Sequence, residues 1–203
     1  GIKIAKGKNV FLLNPDTILL NNAVKILSEF LDNHINVAIC GGNLYTKELE
    51  PIHSYLMYLP SLYSEVDQLF GERLSFRRYG NNLFFNHTEK PLNVGYVTGA
   101  DMMIRKSVLD EAGYFDPDFF MYFEETELTF RIRKMGYDVM SVPDARIIHL
   151  EGQSVQLKEY RENMFLQSRR LYLRKTSRSR IIFLLFQIIY GINVLIHVVY
   201  FSS

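Results

Sequence analysis

Phe120-Met121-Tyr122-Phe123-Glu124-Glu125-Thr126-Glu127-Leu128 sets three carboxylates, Glu124, Glu125 and Glu127, directly behind four large apolar side chains. A solvated charge run does not normally follow such residues. The stretch reads as the end of a buried segment opening into a short helix, with Glu124 or Glu125 near its N-terminus. There, free N–H groups and the helix dipole favour the ionised carboxylate. Neighbouring carboxylates and apolar walls work the other way, raising a carboxyl pKa toward neutrality, which suits a general base. A first helical turn enriched in acids for capping gives the same pattern, and these residues alone do not separate the two readings.

Working outward, Thr126 to Met135 continues the helix, which stops at Gly136. Tyr137 to Pro143 and then Ala145 to His149 read as extended. A lone histidine after an apolar strand is a structural residue or, combined with a carboxylate elsewhere, a ligand for a Mn²⁺-type cation. On the other side, Asp116-Pro117-Asp118 is a turn and Lys106 to Ala112 a helix, with Ser107 as its cap and Gly113 at its end. Val94 to Val97 and Met102 to Arg105 are strands around Thr98-Gly99-Ala100-Asp101. Small residues at Thr98 and Gly99 let a ligand approach the backbone. Asp101 either accepts hydrogen bonds from a substrate hydroxyl or closes an Asx turn.

The N-terminal third reads strand, helix, strand. Asn9 to Leu13 is a compact apolar run of the buried, parallel-sheet type. Residues 21–33 form an amphipathic helix with Ala23, Val24, Ile26, Leu27, Phe30 and Leu31 on one side. Val37 to Cys40 is a second strand, closed by a turn at Gly41-Gly42. This order implies a parallel βαβ unit. In open α/β sheets ligands bind beyond the carboxyl ends of strands. Asn14-Pro15-Asp16-Thr17 stands at such an end, so Asp16 is either part of a plain turn or a hard oxygen ligand for Mg²⁺ or Mn²⁺. Residues 43–93 have no steady period. Tyr55 to Phe70 gives one or two short helices. Arg73, Arg77 and Arg78 form a solvated face or a contact for phosphate or an anionic lipid headgroup.

The last third differs in character. Basic residues crowd Lys158 to Arg180 against only Glu159 and Glu162, and Ile181 to Phe201 holds no acid, Lys or Arg. Such a helix is about 30 Å long, enough to span a bilayer core, to lie in its interface, or to pack against protein. Balanced charge, 23 basic against 22 acidic residues, argues against a nucleic-acid partner. A single cysteine, Cys40, excludes a disulfide framework and a Cys-based zinc site. The chain opens on Gly1 and reads as a piece of a longer one.

Five stretches in this order resemble the family 2 glycosyltransferases, specifically the rhamnosyltransferase-like branch: Asn14-Pro15-Asp16-Thr17, Thr98-Gly99-Ala100-Asp101, Gly113-Tyr114-Phe115-Asp116, Phe123 to Leu128, and Ile148-His149. The resemblance covers roughly residues 1–175. It implies an α/β sandwich of the GT-A type with a mixed sheet, incomplete at the N-terminus, followed by a C-terminal helical tail. The expected division is 1–157 for the partial transferase domain, 158–180 for a basic helical segment and 181–203 for a membrane-associated or packing helix.

By resemblance, Asp16 takes the last position of a DxD-type motif and, with His149, holds Mn²⁺ or Mg²⁺. Glu125 is the general base, Glu124 and Asp101 its catalytic neighbours, and Asn14, Thr98, Gly99 and Glu127 contact substrate. Asn14, Glu125 and Glu127 stand where many members carry Asp. The implied reaction is inverting sugar transfer from a nucleotide-sugar donor to a glycan or lipid-linked acceptor, in surface polysaccharide synthesis. The implied location is the cytoplasmic face of the cell membrane, with a homo-oligomer left open. The segment implied to be missing supplies the first strands and much of the base pocket, so this chain alone is expected to bind nucleotide poorly. Two other readings stay open: a noncatalytic membrane-attached relative, and a metal-dependent phosphoester hydrolase using Asp16, His149 and the glutamates.

Overall fold

The computed structural model describes residues 1–150 and 158–201. Its frame is a mixed sheet whose central strand is β3 (Val37–Tyr45). The sheet begins with β1 (Asn9–Leu13), β2 (Thr17–Leu19) and helix α1 (Ala23–Asn33). Beyond β3 come β4 (Tyr55–Leu56), α2 (Leu62–Leu69), α3 (Arg73–Tyr79), β5 (Leu92–Asn93), β6 (Tyr96–Val97) and β7 (Asp101–Arg105). The chain closes with α4 (Lys106–Ala112), α5 (Glu124–Lys134), β8 (Asp138–His149), α6 (Lys158–Thr176) and α7 (Arg180–Phe201).

Strand order is β1-β7-β3-β8-β2, with β5 also on β8. β7 runs antiparallel to both β1 and β3, so β1 and β3 point the same way with β7 between them. The expected βαβ unit is therefore present in direction, but its strands are not neighbours. β1 becomes an edge strand with mixed exposure rather than a buried parallel one. The parallel neighbour of β3 is β8.

Alternation within the central strands builds two cores. Ile39, Met102 and Ile104 face α4 and α5 through Val108, Leu109, Leu128 and Ile132. Cys40 and Met103 face α1, whose Ala23, Leu27 and Leu31 recur every fourth residue and are fully buried.

Gly41-Gly42 lies inside β3 and does not end it, which corrects the expected turn. Pairing slips here: Gly41 opposes Ser141, while Asn43 opposes Arg146. The extra residues of β8, including Pro143, bulge outward, which is how one strand tolerates a proline. The bulge drives the Ala145 carbonyl against Gly42, where a Cβ would stand 2.4 Å from that oxygen. Close backbone approach therefore explains this glycine. The two extended stretches expected at 137–149 are one bulged strand. Helix α4 begins at Lys106, with Ser107 inside it and not capping it.

α6 and α7 pack onto the body through Phe119, Phe123, Tyr172, Leu173 and Phe186. Arg169 of α6 grips buried Glu65 of α2 at 2.6 Å. The expected boundary at 157 lies outside the described residues. The expected cut at 180 falls at the head of α7, since α6 ends at Thr176. No helix among the described residues is long and apolar enough to cross a membrane.

Candidate active site

Two strand ends meet at the first half of the site. Thr17 of β2 pairs with His149 of β8, so the turn before β2 sits beside the last residue of β8. The Leu150 N–H donates to the Asp16 carbonyl, and the Thr17 hydroxyl donates to the Asn14 carbonyl, which fixes the turn. His149 Nε2 lies 3.4 Å from Asp16 Oδ1 and 3.2 Å from Asn14 Nδ2. An imidazole nitrogen and a carboxylate oxygen thus lie within reach of one ligand. That is a donor set a divalent cation satisfies, and imidazole with carboxylate suits Mn²⁺. Among the described residues no group of three or more His, Cys, Asp or Glu is placed to hold a metal ion, and Asp16 with His149 makes two. Two fit a cation that takes its other ligands from phosphates and water.

The Asn14 N–H donates to the Ala100 carbonyl at 2.9 Å, stitching this turn to Thr98-Gly99-Ala100-Asp101. Gly99 then carries the site to α5: a Cβ on it would stand 3.8 Å from the Glu125 side chain. Glu125 opens α5, behind Tyr122 and Phe123, which both hold left-handed backbone at φ 66° and 65°. Such non-glycine residues each store of order 1–3 kcal/mol of strain and persist only where packing enforces them. The enforcement comes from α6. The Phe123 ring lies 5.3 Å from Phe165 and 5.4 Å from Tyr172, and Ser168 donates to the Met121 carbonyl at 2.6 Å.

Burial, and then the charge of Glu124, push the Glu125 carboxyl up to about 7. Burial also raises Glu124. One oxygen of each, Oε2, is shielded from solvent without a hydrogen-bond partner among the described residues. A carboxylate so placed is poised to take a proton near neutral pH. The Tyr96 phenol is pushed up by burial and, next, by the charge of Glu125, which places it in the same field. Nothing in the sequence singled out Tyr96, one of 13 tyrosines.

Other expected site residues stand differently. Asp101 has no exposed surface; one oxygen accepts the Gly42 N–H at 2.5 Å, and burial raises its carboxyl to about 7. It braces β7 against β3, and its other oxygen, Oδ1, is buried without a hydrogen-bond partner among the described residues. Both oxygens of Glu127 receive Arg131 Nε at 2.9 Å. Arg131 also donates to the Ala112 and Tyr114 carbonyls at 2.5 and 2.7 Å. Glu127 thus ties α5 to the end of α4 through Arg131. Thr98 Oγ1 is buried without a partner among the described residues, while its N–H donates to Ser54.

A mixed sheet with an antiparallel strand inserted between parallel ones, and helices packed on both its faces, is a frame of the GT-A type. The chain belongs to the group described as Glycosyltransferase like family 2, which it matches over residues 1–169.

Among curated relatives, the N-acetylglucosaminyl-diphospho-decaprenol L-rhamnosyltransferase of Mycobacterium tuberculosis is 34% identical over 67 residues, 33% of this chain and 21% of the relative. The low-salt glycan biosynthesis hexosyltransferase Agl10 of Haloferax volcanii is 31% identical over 91 residues, 45% of this chain and 29% of the relative. The matches thus span less than a third of either relative's length. The crystal structure of GalNAc-T7 with UDP, GalNAc and Mn²⁺ superposes with a TM-score of 0.56 at 16% identity, covering 83% of this chain and 32% of that one, which bears on the fold.

Proposed function

We propose that this chain carries the catalytic half of an inverting, metal-dependent sugar transfer from a nucleotide-sugar donor to a hydroxyl of a glycan or lipid-linked saccharide. The observation that carries the reading is the continuous link from the Asp16–His149 pair, through the Asn14–Ala100 hydrogen bond, to Gly99 and Glu125. Phosphate-side and acceptor-side chemistry are thereby held a few residues apart.

Glu125 takes the proton of the acceptor hydroxyl. The oxygen attacks the anomeric carbon from the face opposite the diphosphate, and the carbon–phosphate-oxygen bond breaks. The new glycosidic bond has inverted configuration, and the nucleoside diphosphate leaves. Asp16 and His149 would hold Mn²⁺ or Mg²⁺, which when bound would supply positive charge for the leaving diphosphate. Glu124 keeps the Glu125 pKa high. Asn14 orients His149, Asp101 holds β7 in register, and Thr98 and Gly99 leave room for substrate. The relatives' names, a rhamnosyltransferase of a decaprenol-linked sugar and a hexosyltransferase of glycan biosynthesis, support a lipid-linked acceptor; a dTDP-rhamnose or UDP-sugar donor, surface polysaccharide synthesis and the cytoplasmic membrane face complete the proposal.

Calorimetric titration of Mn²⁺ with UDP, dTDP or GDP tests the site. Weak, metal-dependent binding by the chain, lost in Asp16→Ala and His149→Ala, is the expected result. Binding that ignores both substitutions sinks the assignment, and phosphate release without an acceptor would point to hydrolysis.

A further inference from the structure

α7 is apolar on two sides. Phe183, Phe186 and Tyr190 turn inward to the third core, and the Asn193 amide donates to the Glu65 carbonyl. On the other side Ile181, Leu184, Leu185, Ile188, Ile192 and Leu195 are between 42% and 70% exposed. At 100° per residue these six fall within an arc of about 100°, one continuous stripe along the helix. A surface helix normally turns charge outward; this one does not. Exposed Arg174, Arg178 and Arg180 stand at its N-terminal end, with no carboxylate partner among the described residues. The chain holds no Asp or Glu after Glu162.

We propose that the outer stripe of α7, headed by Arg174, Arg178 and Arg180, docks on the anionic headgroup layer of a bilayer, with the helix lying in the membrane plane. Two features choose lipid over a second copy of this chain. The stripe needs an apolar cover and the arginines need anions, and an acidic membrane surface supplies both at one boundary. A second copy brings another acid-free C-terminal segment to the same place. The inner face is fixed by the third core and the Arg169–Glu65 pair, so docking would set the pose of the whole domain. The inference deepens the lipid-linked part of the proposed function and rests on it for its purpose.

The test is vesicle flotation of the whole chain with phosphatidylcholine alone or containing about a third phosphatidylglycerol, the range in which each basic residue contributes about fivefold. Expected are flotation with the anionic vesicles, about a hundredfold weaker binding for Arg174→Gln/Arg178→Gln/Arg180→Gln, and a loss of about tenfold or more for Leu184→Ser/Ile188→Ser. Both variants change exposed side chains, so their melting temperatures should match the parent. No flotation, equal binding to neutral vesicles, or a dimer in light scattering that Leu184→Ser/Ile188→Ser disperses would each overturn the proposal. Asp16→Ala separates the two readings, because it should lose nucleotide binding and keep flotation. Nucleotide binding without flotation sinks the docking surface alone.

Discussion

Replacing Glu125 by Gln should stabilise the chain above neutral pH and abolish transfer. The carboxyl is raised from 4.5 to about 7, mainly by burial. Between those values the folded chain keeps a proton that the unfolded chain has released. Parent stability therefore falls as pH rises through that window, and the loss is complete above about pH 7. At about 1.4 kcal/mol per pH unit the window amounts to about 3 kcal/mol. Glu124 shares the same field, so the expected gain for Glu125→Gln at pH 8 is about 1–3 kcal/mol. For a chain of this length that is a rise in melting temperature of about 2–12 °C. At pH 4 both forms are neutral and the two melting curves should converge. Transfer should drop by about 10²–10⁴ in the variant, and in the parent it should fall about tenfold per pH unit below about pH 7. Melting followed by circular dichroism across pH, beside a sugar-transfer assay, reads both quantities. A variant less stable than the parent at pH 8, or a gap that does not close on acidification, would refute the buried, like-charged account of this carboxyl.

Gly42→Ala forces a Cβ onto the Ala145 carbonyl and should cost about 1–3 kcal/mol in urea unfolding. Gly191→Ala, mid-helix with nothing within 4 Å, should gain about 0.5–1 kcal/mol. Glu127→Gln should lower stability by about 1–3 kcal/mol through Arg131 and leave nucleotide affinity unchanged by calorimetry; a loss of affinity in the folded variant would return Glu127 to the donor site.

Local pattern carried some of this and topology the rest. α1, α4 and the acidic head of α5 were legible because each pairs an apolar stripe with a plain stop, and Gly113 and Gly136 hold the positive φ that ends two of them. The Asp16–His149 pairing came from order along the chain, not from geometry. Gly41-Gly42 misread as a turn because what crowds them lies far along the chain, Val97 and Asp101 at Gly41 and the Ala145 carbonyl at Gly42. The pairing of Glu127 with Arg131 was hidden because three acids in one turn look alike, and that of Asp101 because its partner is a backbone N–H on another strand. Residues 43–93 stayed unread because their helices are short and their strands only two residues long.

The strand inserted between β1 and β3 has a bearing on how the chain reaches its fold. Asn9 finds Arg105 about ninety residues later, and β3 meets β7 across more than sixty. β1, α1 and β3 emerge early and in order, yet β1 and β3 cannot pair with each other without shutting β7 out. Early pairing of β1 directly with β3 would be a trap that must reopen before the sheet forms. Long-range pairing of this kind is slow, and on the ribosome the central strand would wait, its edges open, until the segment carrying Gly99 and Asp101 has been made. Assembly of the sheet and assembly of the site are in this sense one late event.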